Sequence, residues 1–305
     1  MFSINDRHII VNYHYVQDPS LEFSGIHPCS IKVFEEQIHF LAAHYNIVNI
    51  GEVVEAARND DPVKVCAVTF DDGLRDHYEN VLPILRRYKI GGTFFPITST
   101  LEGRLPPAHK LHVLLSKNSS LEIINRFYNF LKNKYPGEIG RYAIAIDKRM
   151  TQRRMHEDIP SANLKETLMI IPELRRNEFL NWVFKELGIN EQEWCQKIFM
   201  NEKELLDMYQ QGFIIGGHSH AHVSLEKADR DFLINDIGKS KKILEKLLGA
   251  SLEIFSYPHG RHNSIATEVL KEQGFKYAVT NESRAIGKNE NIFLIPRYDT
   301  NDIKA

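Results

Sequence analysis

The sequence predicts an α/β fold on a parallel sheet, open or closed into a barrel, interrupted by a mostly helical insertion. Three observations carry this. Short apolar runs alternate with helical patterns over residues 8–100 and again over 200–300. The alternation breaks between about residues 98 and 200. Unusual polar residues follow the apolar runs: His14, the pair Asp71-Asp72, His218, His259 and Arg297. Barrel enzymes gather chemistry at the C-terminal ends of their strands, so five runs delivering polar groups there predict a site on one face.

The elements follow in order. Residues 9–13 (IIVNY) read as a buried strand. Ser30 can cap a helix in which Ile31, Phe34, Ile38 and Leu41 recur at helical spacing. Residues 47–50 and the β-branched run 63–70 read as strands, the second ending in Asp71-Asp72-Gly73. Residues 78–88 look helical despite Pro83, and 93–97 read as a strand. The next hundred residues hold amphipathic stretches at 121–132 and 178–187 and one possible strand at 142–146. Residues 101–200 are therefore read as a helical insertion within a single domain over 1–305. Alternation resumes with a helix at 202–211 and a strand at 213–216. A long helix at 229–248 stops at Gly249. Strands at 252–257, 277–280 and 293–295 accompany a helix at 265–273.

Composition narrows the function. The chain is 43% hydrophobic and 26% charged, as expected of a globular protein. Its formal net charge of -2 argues against a nucleic-acid partner or an anionic membrane surface. Cys29, Cys66 and Cys195 are odd in number and form no CxxC pair, which leaves no disulfide framework or thiolate zinc site. Reduced thiols and a start lacking a basic, then apolar, leader predict a cytoplasmic location. No apolar run is long enough to span a bilayer. The oligomeric state stays open.

Two clusters carry chemistry. Asp71 and Asp72 are adjacent acids after a buried strand, and they repel unless positive charge sits beside them. A metal ion supplies that charge, binding one carboxylate and leaving the other to take a proton from water. The plainer reading is a turn or capping pair. The second cluster is His218-Ser219-His220-Ala221-His222. His218 and His222 would share one face of a helical turn. His218 and His220 at strand spacing are the competing pair, and a solvated histidine loop is the plain alternative. Two histidines and a carboxylate make a three-ligand site with open positions, suited to polarising a carbonyl and acidifying water.

Together, Thr69-Phe70-Asp71-Asp72-Gly73 and the downstream His218-Ser219-His220-Ala221-His222 resemble the first two motifs of the polysaccharide deacetylase family, also called NodB homology or carbohydrate esterase 4. Gly92-Thr93-Phe94-Phe95 and Leu225 fit the same pattern, and Phe255-Ser256-Tyr257-Pro258-His259-Gly260 resembles an FSYPxG form of the third motif. The resemblance covers about two-thirds of the chain. It implies a distorted (β/α) barrel and a hydrolase removing acetyl groups from amino sugars or sugar conjugates. It implies Asp71 as general base, and Asp72, His218 and His222 as ligands of a divalent metal, usually zinc. Tyr257, Pro258, His259 and Gly260 are the implied substrate-binding turn, with backbone N–H near His259 on the oxyanion. Better-known members place an arginine where Ser256 stands and carry a late Leu-x-His that this chain lacks. The branch of exported poly-N-acetylglucosamine deacetylases has instead an early Tyr-His and a late Pro-Arg, matched by Tyr13-His14 and Pro296-Arg297. This implies His14 as general acid and Arg297 as partner of Asp71. An O-deacetylase, a hydrolase of a non-sugar amide and a catalytically weak carbohydrate-binding homologue are the competing readings.

Overall fold

The computed structural model describes residues 2–152, 154–155 and 157–304. The chain forms two compact units: Met1–Asp18, Pro28–Arg104 and Cys195–Ala305 in one, Pro19–His27 and Leu105–Trp194 in the other.

The first unit opens with β1 (His8–Tyr13), buried along its whole length. α1 (Ile31–His44) starts at Ser30, whose side chain accepts from the Val33 N–H. β2 (Asn46–Ile47) is only two residues long. The expected strand stops there because Asn49 caps α2 (Ile50–Arg58) in a reciprocal capping box with Glu52. β3 (Val65–Asp72) runs through both aspartates. A π turn at His77–Val81 leads into α3 (Leu82–Tyr88), with Pro83 in its tolerated first turn. β4 (Thr93–Pro96) follows.

The second unit contains α4 (Pro107–Lys117), α5 (Ser120–Lys134), α6 (Ile159–Ile170) and α7 (Glu173–Glu186), and α8 (Glu191–Ile198) leads back. Phe127, Phe130 and Phe179 pack at its centre. The unit also takes in Pro19–His27, a stretch the sequence analysis does not separate from the N-terminal elements. The strand expected at 142–146 is irregular chain. Tyr142 and Ile144 are buried, which produces the strand-like alternation, but side chains take the backbone groups. The Ile144 N–H donates to the Tyr128 hydroxyl, and Asn163 Nδ2 donates to the carbonyls of Ala145 and Lys148.

The first unit resumes with α9 (Glu202–Gln210), β5 (Ile214–Ile215) and α10 (Arg230–Leu248), which Gly249 ends at φ 67°. β6 (Ile254–Ser256), α11 (Ser264–Glu272), β7 (Tyr277–Val279) and β8 (Tyr298–Asp299) complete it. Around Ile295, expected in a strand of its own, the chain makes a single parallel bridge to Val279. The last strand instead lies a few residues later, beside β1.

Every named strand pair is parallel. The main sheet runs β5-β4-β3-β1-β8, with β2 on the lower part of the edge that β4 takes higher up. β6 and β7 pair separately. Parallel bridges from Gly217 to Phe255 and from Val279 to Ile295 link the two sheets, closing the strand order into a distorted barrel. Register then sorts the side chains. Asn12 pairs with Thr69, and Asp71 with Phe95. The two-residue period puts Asn12, Thr69 and Asp71 on one face. The opposite face carries Tyr13, Phe70 and Phe94, stacked ring on ring, with Phe34 of α1 against them. No helix among the described residues is long and apolar enough to cross a membrane.

Candidate active site

The end of β3 bends sharply. Asp72 and Gly73 both take positive φ, 74° and 72°. A Cβ at Gly73 would lie 2.6 Å from the Pro96 Cβ, so only glycine fits the turn. An aspartate in the left-handed region is uncommon, and such backbone strain persists where the surroundings enforce it. The turn sends the Asp72 side chain away from Asp71 and toward the segment after β5.

That segment is a loop. His218 and His222 do not share a helical turn, as the sequence spacing suggested; Ser219 and His222 have φ of 62° and 52°, and the chain folds back on itself. Its supports are side chains. Ser219 Oγ accepts from the His222 N–H, and Asp236 of α10 accepts from the N–H groups of His220 and Ala221. Both histidine Nε2 atoms face Asp72 Oδ1, His218 at 3.4 Å and His222 at 3.2 Å. The carbonyl of Ser256 can only accept, so its 2.8 Å contact puts a proton on His218 Nδ1, and in the neutral ring the lone pair is then on Nε2.

Asp72, His218 and His222 are all buried and bring their ligand atoms within 4.8 Å of one another. Donors about 2.0–2.1 Å from a tetrahedral zinc lie roughly 3.3–3.4 Å apart. The two histidine–carboxylate separations are close to this, and one carboxylate with two imidazoles suits a divalent cation, so the residues fit the group the motifs imply. His220 points elsewhere. Its Nε2 accepts from Arg104 and its Nδ1 contacts Thr98 Oγ1, each at 3.0 Å. The competing His218–His220 pair is thereby set aside.

Asp71 is held from the other side. Arg297, 1% exposed, donates to Asp71 Oδ1 at 2.9 Å and Oδ2 at 2.7 Å. Its remaining contacts are Asn12 Oδ1, Thr69 Oγ1, Ser256 Oγ, Asn281 Oδ1 and the Thr280 carbonyl. The buried Ser256 hydroxyl accepts one of these bonds. Asn12 Nδ2 adds a bond to Asp71 Oδ2. Burial pushes the Asp71 carboxyl up, but the Arg297 charge and hydrogen bonds, with His218 beside them, hold it well below the usual carboxylate range. His14 Nε2 lies 4.0 Å from Asp71 Oδ2, with its side chain 41% exposed.

The third motif contributes less than expected. Tyr257 is fully buried and its hydroxyl contacts Thr267 Oγ1, so it is a core residue and leaves the substrate-binding set. Pro258 is buried as well. His259 and Gly260 reach the surface in a left-handed turn, φ 59° and 68°. The His259 ring stands edge-on to His222 with centroids 4.6 Å apart. Asn12, Thr69, Asp236 and Asn281 were missed. Asn12 and Asp236 did leave a signal: each is a polar residue at a buried position of a mostly apolar strand or helix face.

The profile of the polysaccharide deacetylase family matches residues 58–125 and 156–278. The chain belongs to the polysaccharide deacetylase family. Among curated proteins, a poly-β-1,6-N-acetyl-D-glucosamine N-deacetylase of Staphylococcus aureus is 31% identical over 123 residues, 37% of this chain and 42% of that protein. The putative polysaccharide deacetylase YxkH of Bacillus subtilis is 25% identical over 101 residues, 33% of this chain and 36% of that protein. The match thus spans less than half the length of these curated relatives. Among solved structures, the deacetylase PplD of Streptococcus pyogenes, in complex with acetate, superposes with a TM-score of 0.59 at 18% identity, covering 95% of this chain and 91% of that one. IcaB of Ammonifex degensii gives 0.58 at 16% identity, covering 96% and 91%. These two superpositions are evidence of a shared fold.

Proposed function

We propose that this member of the polysaccharide deacetylase family is a metal-dependent hydrolase that removes the acetyl group from an N-acetylated amino sugar or sugar conjugate. The observation that carries the reading is the convergence of Asp72, His218 and His222 beside an Asp71 clamped by Arg297. Asp72, His218 and His222 would hold the cation. A bound divalent cation, zinc in this reading, supplies positive charge that polarises the acyl carbonyl and acidifies a water.

The chain's own residues do the rest. Asp71 takes a proton from the attacking water as its oxygen bonds to the acyl carbon. Arg297 and Asn12 between them donate one bond to Asp71 Oδ1 and two to Oδ2, which leaves accepting capacity on Oδ1. They also fix the plane of the carboxylate. His14 gives a proton to the nitrogen as the C–N bond breaks, releasing acetate and a free amine. His14 is half-exposed, as a group that must recharge from solvent requires.

The S. aureus relatives are named for poly-β-1,6-N-acetyl-D-glucosamine, which makes oligomers of that polymer the first substrates to test. They are incubated with the protein beside free N-acetyl sugars and an O-acetylated sugar, and acetate and new amine are both measured. Equal acetate and amine, lost on chelation and in Asp71→Asn, is the expected result. Acetate without amine makes the protein an O-deacetylase. No acetate from any substrate by protein that retains its cation leaves the binding-protein reading.

A further inference from the structure

We propose that Asp76, His77 and Asn80 are positioning residues that hold His14 in line with Asp71. This rests on the reading of His14 as the general acid. His14 lies beyond the last residue of β1, where the sheet's own hydrogen bonds no longer fix the chain. Side chains from the turn after β3 take over that task. His77 Nε2 donates to the His14 carbonyl at 2.8 Å. Asp76 Oδ2 accepts from the Val16 N–H at 2.8 Å, and Asn80 Nδ2 donates to the Val16 carbonyl at 2.8 Å. Asp76 and Asn80, four apart, thus grip both polar groups of one residue, as a neighbouring strand would. On the other side Cys29 donates to the Tyr15 carbonyl and accepts from the Gln17 N–H.

Burial gives these bonds their weight. His77 is 0% and Asp76 6% exposed, so a lost partner is not replaced by water. The π turn at His77–Val81 belongs to the same device, because π turns inside helices recur at functional sites. It begins five residues after Asp72, so one short segment serves both the metal cluster and the histidine opposite. Burial also pushes the Asp76 carboxyl up to about 8, so its neutral form accepts the Val16 N–H much as an amide oxygen would. Asp76→Asn is therefore the conservative variant.

The test is a double-mutant cycle on an N-acetyl substrate with full-length protein. Asn80→Ala and Asp76→Ala are expected to lower kcat about 10- to 100-fold, as a misplaced catalytic group does, with KM and cation content unchanged. Asp76→Asn restores most of the rate. An acetyl ester with a good leaving group, which needs no proton from His14, loses less than threefold. In a His14→Ala background Asn80→Ala has no further effect, since it acts through His14. Circular dichroism and melting of each variant check that it folds, and Asn80→Ala, at a half-buried site, serves if Asp76→Ala does not. Equal losses on ester and amide, or an Asn80→Ala loss that persists in the His14→Ala background, overturn the positioning role and leave the acid reading standing. A silent His14→Ala removes both.

Discussion

Arg297 donates to both carboxylate oxygens of Asp71, at 2.9 Å to Oδ1 and 2.7 Å to Oδ2. The two residues are 226 positions apart, and both are buried. A bidentate guanidinium fixes the plane of the carboxylate as well as its charge. It also lowers the basicity of Asp71, which in the proposed reaction would suit a water acidified by a cation at Asp72, His218 and His222.

Arg297→Met leaves the Asp71 carboxylate buried and without its cation. The expected cost is about 3–5 kcal/mol of stability, with most of the activity lost. Arg297→Lys recovers charge but not the two parallel bonds, so it is expected to fall between. Urea unfolding and kcat on one N-acetyl substrate check the order, and a fully active Arg297→Met contradicts it.

His222→Ala is expected to lose the divalent cation, while His220→Ala keeps it. His222 faces Asp72, whereas His220 is turned to Thr98 and Arg104. Elemental analysis after dialysis against buffer without metal decides between them. Equal cation content in the two variants contradicts the assignment.

His14→Ala is expected to cut kcat on an amide by on the order of 10²–10⁴ and to spare an activated ester. An amide anion is a poor leaving group, whereas a phenolate departs unaided. Cation content stays the same, because His14 is outside the ligand cluster. Matched losses on the two substrates assign His14 to substrate placement.

His77 predicts a pH dependence of stability. Burial pushes its imidazole down from 6.5 to about 4. Between those values the unfolded chain binds more protons, so stability rises with pH. The contribution is complete above about 6.5 and is lost as pH falls toward 4, on the order of 3 kcal/mol in all. In His77→Gln the slope between pH 4 and 6.5 flattens relative to the parent. Parallel urea-unfolding curves for the two proteins across that window rule the effect out.

Gly73→Ala meets the Pro96 Cβ at 2.6 Å and must also hold φ 72°. The strain alone costs about 1–3 kcal/mol. Because Gly73 adjoins Asp72, cation affinity falls with it. A melting curve and a metal titration that both match the parent show that the turn relaxes without harm.

The sequence by itself determined the parallel α/β frame, singled out Asp71, Asp72, His218 and His222 as candidates, and gave residues 101–200 a helical character; the helical unit of the structure spans Leu105–Trp194. Hydrophobic periodicity and motif spacing are local, so they survive without coordinates. Locality also explains the errors. Spacing of four suggested a helical turn for His218 and His222, but Asp236 and Ser219 hold a loop that no periodicity encodes. Tyr257, inside a motif, is core because its hydroxyl finds Thr267. The strand expected at 142–146 dissolved because Asn163 and Tyr128 claimed its backbone groups. The resemblance already implied Arg297 as the partner of Asp71; only tertiary structure decided that Asn12, Thr69 and Asp71 share a face, that Arg297 reaches Asn12 and Thr69 as well, and that Asp76, His77 and Asn80 grip the chain at His14. The reason is physical: a buried polar group must find a partner wherever register and strand order bring one, and neither is written in the neighbouring residues.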